Sequence, residues 1–253
     1  MENTTSGYAP IERGRMFFEA AGSGPAVILI HGFGVDRRSW EHQIEAFAPR
    51  YTVVACDLRG FGASSLPDGP YGHHDDIVAL LDHLGFEQAS LVGSSMGARI
   101  SLDVALTHPD RVRAIVSADG MPSGMSPRPA GAARPPDREQ YARTLRSLTP
   151  ERVTWFQGIV ADYSRWHRKN FDPRTEVAPP VVERLSEINA PTLVLVGEHD
   201  AERFHKAAEH LAAGIAVARR YVVAGSGHLP NLEAPEEFNR VVLGFLDEQH
   251  GAD

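Results

Sequence analysis

Apolar positions along the chain follow two periodicities in turn. Short runs with few or no polar interruptions occur at Ala26-Val27-Ile28-Leu29-Ile30, Thr52 to Ala55, Leu91-Val92, Ala114-Ile115-Val116, Thr192 to Val196 and Tyr221-Val222-Val223. They have the length of strands and the continuous hydrophobicity of strands covered on both faces. Between them apolar residues recur at helical spacing, at Ile77, Leu80, Leu81 and Leu84, closed by Gly85, and at Phe204, Ala207, Ala208 and Leu211. A last helix is predicted from Pro235, a residue suited to a first turn, with Phe238, Val241, Val242, Phe245 and Leu246 on its inner face. Upstream, Met16-Phe17-Phe18 reads as a strand that forms a hairpin with Ala26–Ile30 through the turn Gly22-Ser23-Gly24. Strand and helix in alternation predict an α/β fold, with a mostly parallel central sheet and helices on both faces.

The alternation breaks once. From about Met121 to Ala190 no parallel strand is evident. A stretch rich in proline, glycine, alanine and arginine, Pro122 to Pro136, leads into helical segments, one starting at Thr149-Pro150-Glu151 with threonine as cap and proline next. The expected organisation is a core domain made of residues 1–120 and 191–253, with residues 121–190 inserted as a helical cap or lid. The insertion carries 11 basic and 8 acidic residues, a net charge of +3, against −11 for the remainder.

In open α/β sheets ligands bind beyond the C-terminal ends of the strands, so residues following strands carry the candidate chemistry. Gly93-Ser94-Ser95-Met96-Gly97 is a G-x-S-x-G pattern between the run ending at Val92 and a helical pattern through Ile100, Leu102, Ala105 and Leu106, stopped at His108-Pro109. A strand that turns sharply into a helix crowds its corner residue. Glycines on either side make room, and the Ser95 hydroxyl is left at a helix N-terminus, where developing negative charge is favoured. A serine needs a base to take its proton, and the base needs an orienting carboxylate. Of 12 histidines, His228 stands in a glycine-rich loop, Gly225-Ser226-Gly227-His228, after the last predicted strand.

Composition narrows the function further. At 253 residues and 42% apolar content the chain can bury a large core as one domain with an insertion. A formal net charge of −8 leaves no basic footprint for nucleic acid or an anionic membrane. No apolar run reaches the length of a membrane span, and Met1-Glu2-Asn3-Thr4 lacks a basic-then-hydrophobic leader, so a cytoplasmic protein is expected. Cys56, the single cysteine, lies in an apolar run and reads as core filler, which excludes a disulfide framework or a thiolate metal site. His73-His74-Asp75-Asp76 looks like a ligand set, but adjacent residues at a helix start point in different directions. No metal and no cofactor are expected.

The elbow at Ser95, with His31-Gly32-Phe33-Gly34 after the first apolar run and Asp57-Leu58-Arg59-Gly60-Phe61-Gly62-Ala63-Ser64 after the second, resembles the α/β-hydrolase superfamily in its serine-nucleophile branch. The resemblance implies that the backbone N–H groups of Phe33 and Met96 form an oxyanion hole, that His228 is the base, and that Asp200 in Gly197-Glu198-His199-Asp200 is the acid. Asp119, after the Ala114 to Val116 run, is the alternative acid. His31 is expected to orient its loop rather than to take part in chemistry. The implied activity is hydrolysis of a small carboxylic ester or lactone through an acyl-enzyme on Ser95. The alternatives are cleavage of a carbon–carbon bond in a diketone-type substrate, or a ligand-sensing receptor or lyase on the same fold. Ala98 replaces the second glycine of the frequent S-M-G-G form, and Ser94 is not the asparagine of many ring-cleavage-product hydrolases, which count against carbon–carbon cleavage. Trp155, Phe156, Tyr163 and Trp166 are expected to wall the substrate pocket. The arginine-rich, lysine-poor composition points to a GC-rich bacterial genome as the expected source.

Overall fold

The computed structural model describes residues 4–125, 144, 147–167 and 173–251, without side chains over 162–167. Among these residues eight strands form one sheet. They are β1 (Thr5–Ile11), β2 (Gly14–Ala21), β3 (Ala26–Ile30), β4 (Thr52–Cys56), β5 (Ala89–Ser94), β6 (Val112–Ala118), β7 (Thr192–Gly197) and β8 (Ala218–Val223). Their spatial order is β1-β2-β4-β3-β5-β6-β7-β8. The first two joins, β1 with β2 and β2 with β4, are antiparallel, and every later one is parallel.

Five helices form the described layers: α1 (Glu41–Phe47), α2 (His73–Leu84), α3 (Met96–Thr107), α5 (Glu202–Gly214) and α7 (Pro235–His250). Helix α4 (Pro150–His167) and the short α6 (Pro230–Glu233) are described as well. Each central strand serves both layers, as its apolar run requires. In β3, Ile28 and Ile30 face the core under α2, α3 and α5, while Val27 and Leu29 face the core under α1 and α7. Cys56 is buried in the first of these cores, and burial pushes its thiol pKa up, so it is the apolar filler expected. Helix α2 stops where expected: Gly85 is left-handed at φ 73°, and its N–H closes on the carbonyls of Leu81 and Asp82.

Two features differ from the sequence reading. The strand around Met16–Phe18 does not pair with β3. Phe18 to Ala21 lie against Cys56 to Val53 of β4 instead, and β4 lies between β2 and β3. The turn at Gly22–Gly24 therefore redirects the chain across one strand rather than closing a hairpin. The second is β1, an edge strand with only Ala9 and Ile11 buried, whose sparse apolar pattern carries no strand signal.

Between β6 and β7 the described residues hold α4 and two single 3₁₀ turns, at Val181–Glu183 and Leu185–Glu187. Helix α4 is seated by Phe156 and Ile159, which are buried against Val35 and Leu232, with Leu148, Trp155, Val160 and Leu229 around them. It thus rests on the loop after β3 and the loop after β8. No helix among the described residues is long and apolar enough to cross a membrane.

Candidate active site

Because β3 to β8 run in one direction, the residues that follow them gather along one edge of the sheet. His31 follows β3, Asp57 follows β4, Ser95 follows β5, Asp119 follows β6, Asp200 lies just past β7 and His228 just past β8.

Ser95 has φ 52° and ψ −106°, a strained backbone for a residue with a side chain. Neighbouring packing imposes it. A Cβ on Gly97 would lie 2.0 Å from the Ile30 carbonyl oxygen, and one on Gly93 would lie 2.3 Å from the Gly97 backbone. Both glycines of the G-x-S-x-G pattern are therefore required by close approach. The Ser95 N–H donates to the Ala118 carbonyl at 2.7 Å, which ties the corner to the adjacent strand end.

The Ser95 hydroxyl lies 3.0 Å from His228 Nε2, and His228 Nδ1 lies 2.7 Å from Asp200 Oδ2. A carboxylate only accepts, so Nδ1 carries the proton and Nε2 is left to accept from the hydroxyl. The two side chains are 7% and 3% exposed, which keeps water from competing for this bond. Phe204 packs on the imidazole with ring centroids 4.2 Å apart, and the second Asp200 oxygen accepts from the Ala201 N–H at 2.7 Å. All three sequence-derived residues meet in one chain of hydrogen bonds.

Asp119 comes near but does not join that chain. Its Oδ1 accepts from the Gly197 N–H at 3.0 Å, and its Oδ2 is buried without a hydrogen-bond partner. Burial, and then the Asp200 carboxylate beside it, hold the Asp119 carboxyl well above the usual carboxylate range. One oxygen of each aspartate and a His228 ring nitrogen lie within 4.8 Å of one another.

Phe33 and Met96 flank Ser95. Met96 opens α3, so no carbonyl within the helix takes up its N–H. Phe33 is 38% exposed on the loop after β3, and its ring stands edge-on to Phe61. That loop abuts the elbow: a Cβ on Gly32 would lie 3.3 Å from both the Ser94 carbonyl and the Ser95 Cβ. His31 holds the loop from beneath, donating from Nδ1 to the Gly32 carbonyl at 2.8 Å and accepting the Leu58 N–H on Nε2 at 3.0 Å. Burial lowers its pKa, which keeps the ring neutral and both bonds intact. The Asp57 to Ser64 stretch is loop architecture: Asp57 accepts from the Arg37 guanidinium at 2.8 Å and from the Ala63 N–H at 2.8 Å.

The four aromatic residues expected in the pocket divide. Phe156 is buried in the seam under α4 rather than presented as open wall. Trp155 is half-buried and borders an outer cavity with Glu19, Arg37, Arg38, Glu41 and Ile44, in which Ser95 takes no part. Tyr163 and Trp166 fall in α4, but their side chains lie outside those described. Sequence reasoning missed Arg174, whose guanidinium meets Met96 Sδ at 2.9 Å, and Glu233, which binds the loop carrying His228. Neither sits in a motif that would mark it.

Comparison with known proteins agrees with this architecture. The sequence pattern described as the alpha/beta hydrolase family matches residues 27–241. A 3-oxoadipate enol-lactonase of Acinetobacter baylyi is 29% identical, with 88% of each chain covered. A 2-hydroxy-6-oxononadienedioate/2-hydroxy-6-oxononatrienedioate hydrolase of Burkholderia vietnamiensis is 30% identical over 97% of this chain and 96% of that one. Among solved structures, Est816, described as an N-acyl homoserine lactone degrading enzyme, superposes with a TM-score of 0.80 at 30% identity, covering 94% of this chain and 100% of the other.

Proposed function

Since this chain belongs to the alpha/beta hydrolase family, we propose that it is a serine hydrolase that cleaves a small carboxylic ester or lactone through an acyl-enzyme on Ser95. The observation that carries the reading is the unbroken run Ser95 Oγ, His228 Nε2, His228 Nδ1, Asp200 Oδ2, at 3.0 and 2.7 Å. His228 takes the hydroxyl proton as Ser95 attacks the carbonyl carbon, and Asp200 stabilises the imidazolium that results. The backbone N–H groups of Phe33 and Met96 receive the oxyanion. A side-chain donor in the same role contributes about 3–4 kcal/mol where deletion has measured it in another enzyme. The intermediate collapses when His228 returns the proton to the leaving alkoxide, and water activated by the same imidazole then releases the acid. Residues 121–190 act as the lid over this site. Two relatives are named for lactone substrates, which supports an ester or lactone.

The test is hydrolysis of short p-nitrophenyl esters and simple lactones by the wild type and Ser95→Ala, each also treated with an organophosphonate probe and weighed by intact mass. Turnover and a single adduct on the wild type, with a loss on the order of 10⁵–10⁶-fold and no adduct in the variant, are expected. An adduct without turnover of any ester or lactone would reject the substrate class and leave carbon–carbon cleavage, the activity named for the Burkholderia relative, as the reading to pursue. A wild type that neither labels nor turns over would reject Ser95 as an activated nucleophile.

A further inference from the structure

Glu233 closes α6, five positions after His228, and its carboxylate turns back toward the loop that carries the histidine. Oε2 accepts the Gly227 N–H at 2.7 Å, and Oε1 accepts the Leu229 N–H at 3.2 Å. These are the residues immediately before and after His228, so one carboxylate grips the backbone on both sides of the imidazole. Oε1 also accepts from the Thr144 hydroxyl at 2.8 Å. Thr144 is 1% exposed and belongs to the segment between β6 and β7, some 89 residues away in sequence. The short helix bearing Glu233 is itself anchored: Asn231 donates to the Ser39 carbonyl at 2.9 Å, and its own carbonyl accepts from Gln43 at 3.1 Å.

A carboxylate has lone pairs enough for three such bonds, and a charged acceptor makes each stronger than a neutral one would. Without it, the two loop N–H groups would lose their partner at a place where the chain has no regular structure to hold it. The imidazole must reach Ser95 Oγ and Asp200 Oδ2 at once, and a displacement of about 1 Å costs on the order of 100-fold in rate.

We infer that Glu233 is the positioning residue that sets His228 between Ser95 and Asp200, and that Thr144 makes this setting depend on how the β6–β7 segment is seated. The inference rests on His228 being the base, as proposed above.

The test compares Glu233→Gln, Glu233→Asp, Thr144→Val, Thr144→Ser and the double variant Glu233→Gln/Thr144→Val. A glutamine keeps the shape but turns one acceptor into a donor facing a donor. Glu233→Gln is expected to lower kcat by about 10- to 100-fold with KM changed by less than about twofold. It should also broaden or shift the downfield proton resonance of His228 Nδ1–H in the resting protein. Thr144→Val should give a smaller loss in kcat, restored by Thr144→Ser. The double variant should be no worse than Glu233→Gln alone, because the two residues act through one bond.

The resonance is read without substrate, so it judges the position of His228 even if the substrate class is wrong, whereas a wild type that fails to label with phosphonate counts against the nucleophile and not against Glu233. An unchanged resonance and kcat in Glu233→Gln would overturn the positioning role. Losses that multiply in the double variant would overturn the link through Thr144. Should Glu233→Gln not fold, Glu233→Asp, one methylene short of both N–H groups, and Thr144→Val carry the same readouts.

Discussion

Replacing Asp103 by asparagine tests what it costs this fold to bury a carboxyl away from the sheet edge that carries Ser95 and His228. Asp103 lies on α3 between Leu102 and Val104, is 6% exposed, and leaves Oδ1 buried without a hydrogen-bond partner. Desolvation pushes its pKa up to about 7 from 3.8, against the opposing pull of Arg99 one turn earlier. The folded state therefore holds the proton more tightly than the unfolded chain. Stability from this group is fully present below about pH 4, where both states are protonated, and is lost as pH rises toward 7. Above that, the folded protein carries an ionised carboxyl in an apolar setting. Ionisation near pH 7 instead of 3.8 puts the full cost at about 4 kcal/mol.

Asp103→Asn keeps the shape and removes the titration. Urea unfolding of both proteins between pH 4.5 and 8 should give a stability difference that grows in favour of the variant by about 1.4 kcal/mol per unit up to pH 7, then levels. In thermal scans each kcal/mol corresponds to about 2–4 °C for a chain of this size. Titrating groups remote from Asp103 are common to the two proteins and cancel in the difference; Glu176, whose charge raises the Asp103 pKa, is the coupled neighbour. A difference that stays constant across this range would refute the reasoning, since it would mean that Asp103 is hydrated or that Arg99 compensates its charge in full.

Gly97→Ala should cost stability and at least about 100-fold in activity, because its Cβ would meet the Ile30 carbonyl oxygen at 2.0 Å. Alanine is otherwise the better helix former by about 1 kcal/mol, so a raised melting temperature would contradict the packing argument. Asp200→Asn should lower kcat by roughly 10⁴-fold through loss of the His228 tautomer. Asp119→Asn replaces a group that is held by the Gly197 N–H and makes no hydrogen bond to His228, and should cost less than about tenfold. Steady-state kinetics on the best ester decides between them, and a larger loss at Asp119 would exchange the two roles.

Much of the architecture follows from local pattern. Ala26–Ile30 and Thr192–Val196 are strands because a run of apolar residues of that length can be covered on both faces only inside a sheet, and α2 ends at Gly85 because the chain there turns left-handed. Ser95, Asp200 and His228 are legible for a related reason: each comes after a strand, and parallel strands deliver their C-terminal loops to one edge. Partnership is another matter. Met16–Phe18 reads as a strand from its own residues, but its pairing with β4 rather than β3 is settled by the two edges of β3 being taken by β4 and β5. Asp119 and Asp200 are equivalent as letters after strands. Only side-chain direction, acquired when β6 and β7 pack side by side, turns one toward His228 and leaves the other buried on the Gly197 N–H.

Glu233 lies furthest from view. Its partners are two backbone N–H groups and a hydroxyl 89 residues away, and a backbone N–H has the same identity at every position until tertiary packing gives it a place. The chain's own residues thus determine which elements form and which groups arrive at the C-terminal edge of the sheet, since both depend on interactions a few positions apart. Which of those groups touch, and which remain charged, is decided by burial and direction, which exist only once the sheet and its layers have closed.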